Sequence, residues 1–388
     1  MRLLKITVSG MPLFHNTCEI DFLALQRVTA ENAEKMGLLF SNGSQSFYQN
    51  NVVSFIGINA SGKTTILKLI TFVSRMLNNE SLNNISCSEI LDNLADEHNV
   101  IFTTYFYSEN GTVNRLQTTV SRKAGRLFIV EEQLKTKLST KVRSKADVFE
   151  FEDCPIAIAR NKDEIFLLDD VSICVAFNKK NKEQLMITDM LQQTNINELS
   201  IYEDCPPELV AFFDPSVDYL HIEKKGKDSD IRLKFKDEDE IILHQTAELN
   251  RYLSSGTIKG INIFFNALKL FETGGYLIID ELENHFNREI VSTLIRFYMD
   301  KRVYPRGAML IFSTHYAELL DEFERNDHIY IVRNHGGITT ENLSFILKRN
   351  DIKKSEAYQS GYLNGTTPMY EAYMDLKRRL IRSHKEEA

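Results

Sequence analysis

Apolar and polar residues alternate along this chain with two different periods, and the switches between them divide it. Leu4, Ile6 and Val8 alternate with Lys5 and Thr7, and Cys18, Ile20 and Phe22 keep the period of two, which predicts an opening hairpin. An Asn/Ser/Gln-rich stretch over 41–51 reads as a connector. It leads into Val52-Val53-Ser54-Phe55-Ile56, a short apolar run of the kind found in buried parallel strands. From Thr64 to Leu77 the apolar positions Ile66, Leu67, Leu69, Ile70, Val73 and Met76 fall at helical spacing. Strand, glycine loop and helix therefore follow one another in that order.

Between 99 and 245 short alternating segments dominate, such as Ile101–Tyr107, Arg126–Val130 and Ile231, Leu233, Phe235, with one helix expected near 184–195. This region predicts a mixed, β-rich inserted subdomain. No apolar heptad persists there, so no long coiled coil is expected. The last third returns to alternating helix and strand: helix 257–271, strand 276–279, helix 285–299, strands 308–312 and 329–332, and a closing amphipathic helix over 369–381. The expected class is α/β, a mixed sheet with flanking helices. Its expected divisions are an N-terminal lobe over 1–98, the insert over 99–245, a C-terminal lobe over 246–348 and a tail over 349–388.

Composition narrows this further. The chain has 388 residues, 43% hydrophobic and 26% charged, which suits a large globular core and excludes disordered and collagen-like chains. No run reaches the roughly 18 to 20 apolar residues of a membrane span, and MRLLKITVSG lacks the apolar core of a signal peptide, so no membrane association and a cytoplasmic location are expected. Five scattered cysteines without a C-x-x-C pair indicate buried thiols rather than disulfides or zinc. With 46 Lys and Arg against 54 Asp and Glu, the formal charge of -8 argues against a surface that coats nucleic acid. Lys135, Lys137, Lys141, Arg143 and Lys145, with no acid between them, are read either as a local nucleic-acid patch or as a solvated face. Lys224, Lys225 and Lys227, ahead of the acidic turn Asp237–Glu240, read as surface.

Four segments carry chemistry. Gly57-Ile58-Asn59-Ala60-Ser61-Gly62-Lys63-Thr64, followed by Thr65, fits the phosphate-binding pattern G-x-x-x-x-G-K-[ST] between a strand and a helix start. There, backbone N–H groups and the helix N-terminus face the phosphates, Lys63 reaches the β and γ oxygens, and Thr64 ligates Mg²⁺. Leu277-Ile278-Ile279-Asp280-Glu281 is an apolar strand ending in two carboxylates: Asp280 suits the metal shell and Glu281 the attacking water. Leu253-Ser254-Ser255-Gly256-Thr257 opens a helix whose N–H groups and hydroxyls suit phosphate. Ile311-Phe312-Ser313-Thr314-His315 is a buried strand ending in a histidine able to donate to a γ-phosphate. Glu283 and His285, just after the paired carboxylates, are candidates for touching a dimer partner's nucleotide, or simply a helix-start acid and a packing histidine.

Together GINASGKTT, LSSGT, LIIDELENHF and IFSTHYAELLD resemble the head domain shared by SMC, RecF-like and OLD (overcoming lysogenization defect) ABC-type ATPases, over nearly the whole chain. The D-E-x-E-N-H-F-N stretch and Arg349-Asn350-Asp351-Ile352-Lys353-Lys354-Ser355 resemble bacterial OLD-like AAA-family proteins of abortive-infection and phage-defence systems. The resemblance implies ATP and Mg²⁺ as cofactors and a homodimer in which each nucleotide is held by one subunit's loop and the other's signature. Lys63 and Thr64 would then bind phosphate and Mg²⁺, Asp280 the metal, Glu281 the water and His315 the γ-phosphate, while Ser254, Ser255 and Gly256 act in trans.

Some features depart from the family pattern. The glutamine loop has two candidates, Gln117 and Gln133, and the connector over 23–50 is long for such heads. Lys63 precedes Ser254 by 191 residues, too far for a plain transporter subunit and too near for long SMC arms. OLD nucleases carry a C-terminal Toprim domain, whereas the 73 residues after His315 hold no D-x-D cluster, so a separately encoded effector, a nuclease or toxin, is expected. The resulting expectation is a dimeric defence ATPase. Its rivals are a DNA-binding repair ATPase and, further off, a transporter subunit.

Overall fold

In the computed structural model, the described residues are all but 44, 161–166, 194–197, 202, 226–227, 285, 367–369 and 387–388. The strands are β1 (Arg2–Ser9), β2 (Cys18–Asp21), β3 (Gly37–Ser41), β4 (Ser46–Gln49), β5 (Val52–Ile56), β6 (Asn99–Ser108), β7 (Thr112–Lys123), β8 (Arg126–Leu138) and β9 (Ile156–Ala159). They continue with β10 (Ile187–Asp189), β11 (Val217–Lys225), β12 (Asp228–Phe235), β13 (Ile241–Leu243), β14 (Gly275–Ile279), β15 (Ala308–Thr314), β16 (Ile329–Asn334) and β17 (Ile338–Asn342). The α-helices are α1 (Ala30–Ala33), α2 (Lys63–Leu77), α3 (Lys145–Phe149), α4 (Cys174–Asn181), α5 (Pro207–Phe213), α6 (Ser255–Thr273), α7 (Arg288–Tyr298), α8 (Leu343–Ile346), α9 (Lys354–Gln359) and α10 (Tyr370–Glu386).

One sheet, ordered β10-β14-β15-β5-β16-β17, is parallel except for β17, and it matches the apolar runs of the sequence. Such runs are needed because both faces are covered. Val53, Phe55, Ile278, Ile311 and Val332 pack with Ile66, Ile70 and Val73 of α2 on one side. Val52, Ile56, Leu277, Ile279, Leu310 and Phe312 pack with Ile258, Ile261 and Phe265 of α6 and with Leu294 and Ile295 of α7 on the other. The period of two thus sorts each strand's side chains between two cores.

The opening hairpin is present, with Lys5 opposite Asp21 and Val8 opposite Cys18. It belongs to an antiparallel sheet ordered β2-β1-β6-β7-β8-β9, in which β6 pairs directly with β1. Ladder hydrogen bonds therefore join residues on both sides of the boundary expected at 98/99. The strands of 99–138 extend the N-terminal hairpin, and the third sheet, β11-β12-β13, is the separate β-structure of the middle region. No coiled-coil arm occurs among the described residues, where α6, at 19 residues, is the longest helix. No helix of the described residues is long and apolar enough to cross a membrane.

Two expected elements differ. The connector at 41–51 contains β4, which pairs with β3 in a hairpin held by Phe40 stacked on Phe47 at 4.6 Å between ring centroids. Few apolar residues among many polar ones hid that strand. Where a helix was expected near 184–195, β10 lies at the edge of the parallel sheet beside β14, followed by a 3₁₀ turn over Leu191–Gln193; residues 194–197 lie outside the described residues. Edge pairing, continued by Met190 N–H donating to Ile278 O at 2.9 Å, prevails there over helical spacing.

Two phenols join the sheets. Tyr276 of β14 accepts from Leu3 N–H at 2.8 Å and from Gln49 Nε2 at 3.1 Å, and Tyr330 of β16 accepts from Asp21 N–H at 2.7 Å. Tyr276→Phe leaves the buried Leu3 N–H without its acceptor and Gln49 Nε2 with Leu3 O alone, at 2.8 Å, so urea unfolding is expected to show a loss of about 1–3 kcal/mol. An unchanged midpoint would mean the phenol is not a structural link.

Candidate nucleotide-binding site

Because β14, β15 and β5 run parallel and in register, Ile279 opposite Phe312 and Thr314 opposite Ile56, their carboxyl ends meet at one edge. Asp280, His315 and Gly57 follow at that edge, where open α/β sheets bind ligands. A cavity of about 670 Å³ opens there, lined by Asn59, Ala60, Ser61, Gly62, Lys63, Thr64 and Thr65 together with Glu281 and His315. The rest of its lining, Pro12, Leu13, Asn334, Gly336, Gly337 and Ile338, was not singled out in the sequence. The Gly336-Gly337 pair between two strand patterns was the available signal.

The loop geometry explains its glycines. Gly62 has φ +102°, and a Cβ there would press on the Ile338 side chain; Ala60 is also left-handed at φ 61°. A Cβ on Gly57 would strike Ser61 Oγ and Val332 O. Turns of this kind aim successive N–H groups into one concavity, a nest for anions. Ser61 Oγ is buried without a hydrogen-bond partner among the described residues, a polar atom awaiting one in a phosphate cradle.

Lys63 is 5% exposed, and its ammonium donates to Gly57 O at 2.9 Å and Ile58 O at 3.2 Å. Burial lowers its pKa, against the pull of Asp280, Glu283 and Glu281. It also lies 3.3 Å from His315 Nδ1. A protonated lysine can only donate, so Nδ1 accepts and the imidazole proton sits on Nε2, 3.5 Å from Glu281 Oε1. Lysine, histidine and glutamate thus span the cavity in series.

Thr64 Oγ1 donates to Asp280 Oδ2 at 2.7 Å. The other Asp280 oxygen accepts from Ser313 Oγ, which in turn accepts from Glu281 N–H at 2.8 Å. Ser313 therefore ties both carboxylate positions to β15. Glu281 sits at φ 48°, a left-handed conformation for a non-glycine residue, held by Ser313 Oγ on its own N–H and Ser313 O on Leu282 N–H at 3.1 Å. An oxygen donor set of Thr64 and Asp280 suits a hard cation such as Mg²⁺, which takes few protein ligands and fills its shell with phosphate and water. No cluster of three or more His, Cys, Asp or Glu that could hold a metal occurs among the described residues.

Glu283 is 6% exposed, its Oε1 accepting from His315 N–H at 2.6 Å, so of its two readings the structural acid describes its position. Its second oxygen has no hydrogen-bond partner among the described residues. His285 lies outside the described residues. Sequence reasoning passed over Lys259 of α6, buried over the Phe286 ring at 6.0 Å, with burial lowering its pKa against Glu281, Glu283 and Asp280. It also missed the bridging role of Ser313.

Ser254, Ser255 and Gly256 do not line this cavity. Ser254 caps α6, its Oγ accepting from Thr257 N–H at 3.0 Å, and Ser255 begins the helix. Gln117 and Gln133 sit opposite each other in β7 and β8, and neither lines the cavity. The basic run is broken up. Lys135 donates to Phe151 O and Glu152 O, Lys137 to Asp147 O and Glu150 O, and Lys145 to Leu25 O and Gln26 O. Lys141 and Arg143 are exposed and the other three half-buried on backbone carbonyls, an arrangement nearer to the solvated face than to a continuous patch.

No protein-family model matches the chain, and no curated protein does. Among solved structures it is similar to the crystal structure of the SmcHead bound to the C-winged helix domain of ScpA, with 14% identity and a TM-score of 0.45, over 90% of this chain and 100% of that one. A likeness of that size carries no functional weight.

Ser313→Ala removes the hydroxyl shared by Asp280 and the Glu281 N–H. A loss of about 1–3 kcal/mol is expected in chemical unfolding, since both partners are left unsatisfied. Wild-type stability would show that the bridge does not hold the two positions.

Proposed function

We propose that the chain is an ATP-binding and ATP-hydrolysing ABC-type ATPase that acts as a homodimer and uses Mg²⁺. The observation that carries this reading is the 2.7 Å contact between the phosphate-loop hydroxyl of Thr64 and Asp280, beside a cavity that also holds Lys63, Glu281 and His315. Loop N–H groups and Lys63 hold the phosphates, Lys63 exchanging the Gly57 and Ile58 carbonyls for phosphate oxygens. Glu281 accepts a proton from the attacking water, and His315, its N–H anchored by Glu283, turns Nε2 towards the γ-phosphate. When bound, Mg²⁺ supplies neutralisation of phosphate charge. Ser254, Ser255 and Gly256, which lie outside their own chain's cavity, serve the partner's nucleotide, as the family resemblance implies.

By the resemblance of its D-E-x-E-N-H-F-N and 349–355 segments, the dimer acts as sensor and regulator of an antiphage, abortive-infection system with a separately encoded effector. The rival role as a DNA-binding repair ATPase rests on the 135–145 run, of which Lys135, Lys137 and Lys145 are engaged by backbone carbonyls.

Glu281→Gln is expected to reduce ATP turnover by about 100-fold or more while leaving ATP binding intact, so that dimer mass accumulates in ATP. Unchanged hydrolysis would refute the assigned base. A second outcome follows from Lys63. Its charged form exists below a depressed pKa, so affinity for ATP should fall as pH rises, on the acid side of the ordinary lysine range. Lys63→Arg, charged throughout, should lose that alkaline decline in a binding titration; a decline shared by both variants would assign it to another group.

A further inference from the structure

The cavity at the phosphate loop has a charged part and an uncharged part. Its charged lining residues, Lys63, Glu281 and His315, form one series: the Lys63 ammonium lies 3.3 Å from His315 Nδ1, and His315 Nε2 lies 3.5 Å from Glu281 Oε1. Phosphates belong with that series and with the N–H groups of the loop. Outside both, the lining consists of Pro12, Leu13, Asn334, Gly336, Gly337 and Ile338. None of these six carries a charge.

This uncharged part adjoins the loop directly. A Cβ on Gly62 would lie 2.6 Å from Ile338 Cδ1, and Asn334 Nδ2 donates to Ala60 O at 3.2 Å. It is also firmly built. Ile338 N–H donates to Leu13 O at 2.8 Å and His15 N–H to Ile338 O at 3.2 Å, which stitches the turn before β2 to the start of β17. A Cβ on Gly337 would lie 2.7 Å from His15 N, so the two backbones pack closely because no side chain separates them. Pro12 fixes its own φ just ahead of Leu13. Leu13 is 39% exposed, an apolar side chain held at the cavity by its own backbone, and Ile338, bonded to it, is 5% exposed.

Among these six residues Asn334 alone has a side chain able to hydrogen-bond, and both of its polar atoms are engaged. Nδ2 serves Ala60 O, and Oδ1 accepts from Gly337 N–H at 3.3 Å. Asn334 thus braces the hairpin β16–β17 against the loop. Adenine and guanine differ in the donors and acceptors along their edges, while both present a flat apolar face. A site that hydrogen-bonds distinguishing groups can reject the wrong ligand by roughly 10⁴-fold or more, whereas apolar contact discriminates weakly.

We infer that Pro12, Leu13 and Ile338 form an aliphatic shelf for the face of a nucleobase, and that the site takes ATP and GTP with similar affinity because no side chain of the shelf reads the base edge. The inference rests on the nucleotide reading above and widens its substrate from ATP to purine nucleoside triphosphates as a class.

The test titrates the full-length chain and Leu13→Ala, in Mg²⁺, with ATP, GTP and inorganic tripolyphosphate. Leu13→Ala retains the carbonyl that Ile338 N–H uses. In the wild type, the affinities for ATP and GTP should lie within about fivefold of each other. Leu13→Ala should weaken ATP and GTP by the same factor, about fivefold to tenfold, and leave tripolyphosphate unchanged, because the phosphates do not touch the shelf. A larger preference for either purine overturns the inference. So does a Leu13→Ala chain that binds ATP and GTP as the wild type does, or one that loses tripolyphosphate in equal measure. In those cases the wild type still binds triphosphate, and the nucleotide reading stands. A wild-type chain that binds neither ATP nor tripolyphosphate refutes that reading, and the shelf with it.

Discussion

Parallel register between β14, β15 and β5 is the constraint on which the candidate site depends. With Ile279 opposite Phe312 and Thr314 opposite Ile56, the chain leaves each strand at the same edge, and Asp280, His315 and Gly57 come within reach of one ligand. A slip of one residue would turn every side chain of a strand to the other core and move its terminal residue off the edge. The two apolar cores therefore do more than stabilise the fold. By sorting Val53 and Phe55 from Val52 and Ile56, they fix where the chemistry falls.

On that edge the charges are arranged in series. Lys63 is desolvated and rests on two carbonyls of its own loop, a weak substitute for phosphate, while His315 joins it to Glu281. Under the proposed function, an incoming triphosphate would offer the ammonium stronger acceptors and so release the histidine to respond to the γ-position. The conformation that makes this possible is costly: Glu281 is left-handed, and Ser313 holds it there with both its hydroxyl and its carbonyl. Strain of this kind persists only where surrounding bonds over-determine it.

Much of this was legible in the chain. Glycine spacing, an apolar strand before it and helical spacing after it located the loop of residues 57–62 between strand and helix, and the paired carboxylates located the second strand end. What stayed hidden depended on partners distant in sequence. Ser313 reads as an ordinary polar residue near a strand end until β14 is placed beside it. Lys135, Lys137 and Lys145 read as a charge run, but folding brings the carbonyls of Phe151, Asp147 and Leu25 to their ammonium groups. The strand β4 was obscured by its polar neighbours, and β10 by helical spacing that edge pairing overrode.

The position of α6 links the site to its surroundings. Its cap and first turn carry Ser254, Ser255 and Gly256, which lie outside the cavity of their own chain, and one turn further Lys259 is buried where Glu281, Glu283 and Asp280 all act on it. A helix whose tip faces outward and whose next turn senses the site's own carboxylates cannot shift without changing the field on the residue assigned to the water. Glu283 tightens the connection, since the carboxylate that feels Lys259 also holds the backbone of His315. In the proposed dimer, a partner's phosphate at the helix tip would therefore be coupled to the electrostatics of the helix's own site through one element. That coupling would give each half of the proposed dimer a physical means to register what the other half holds.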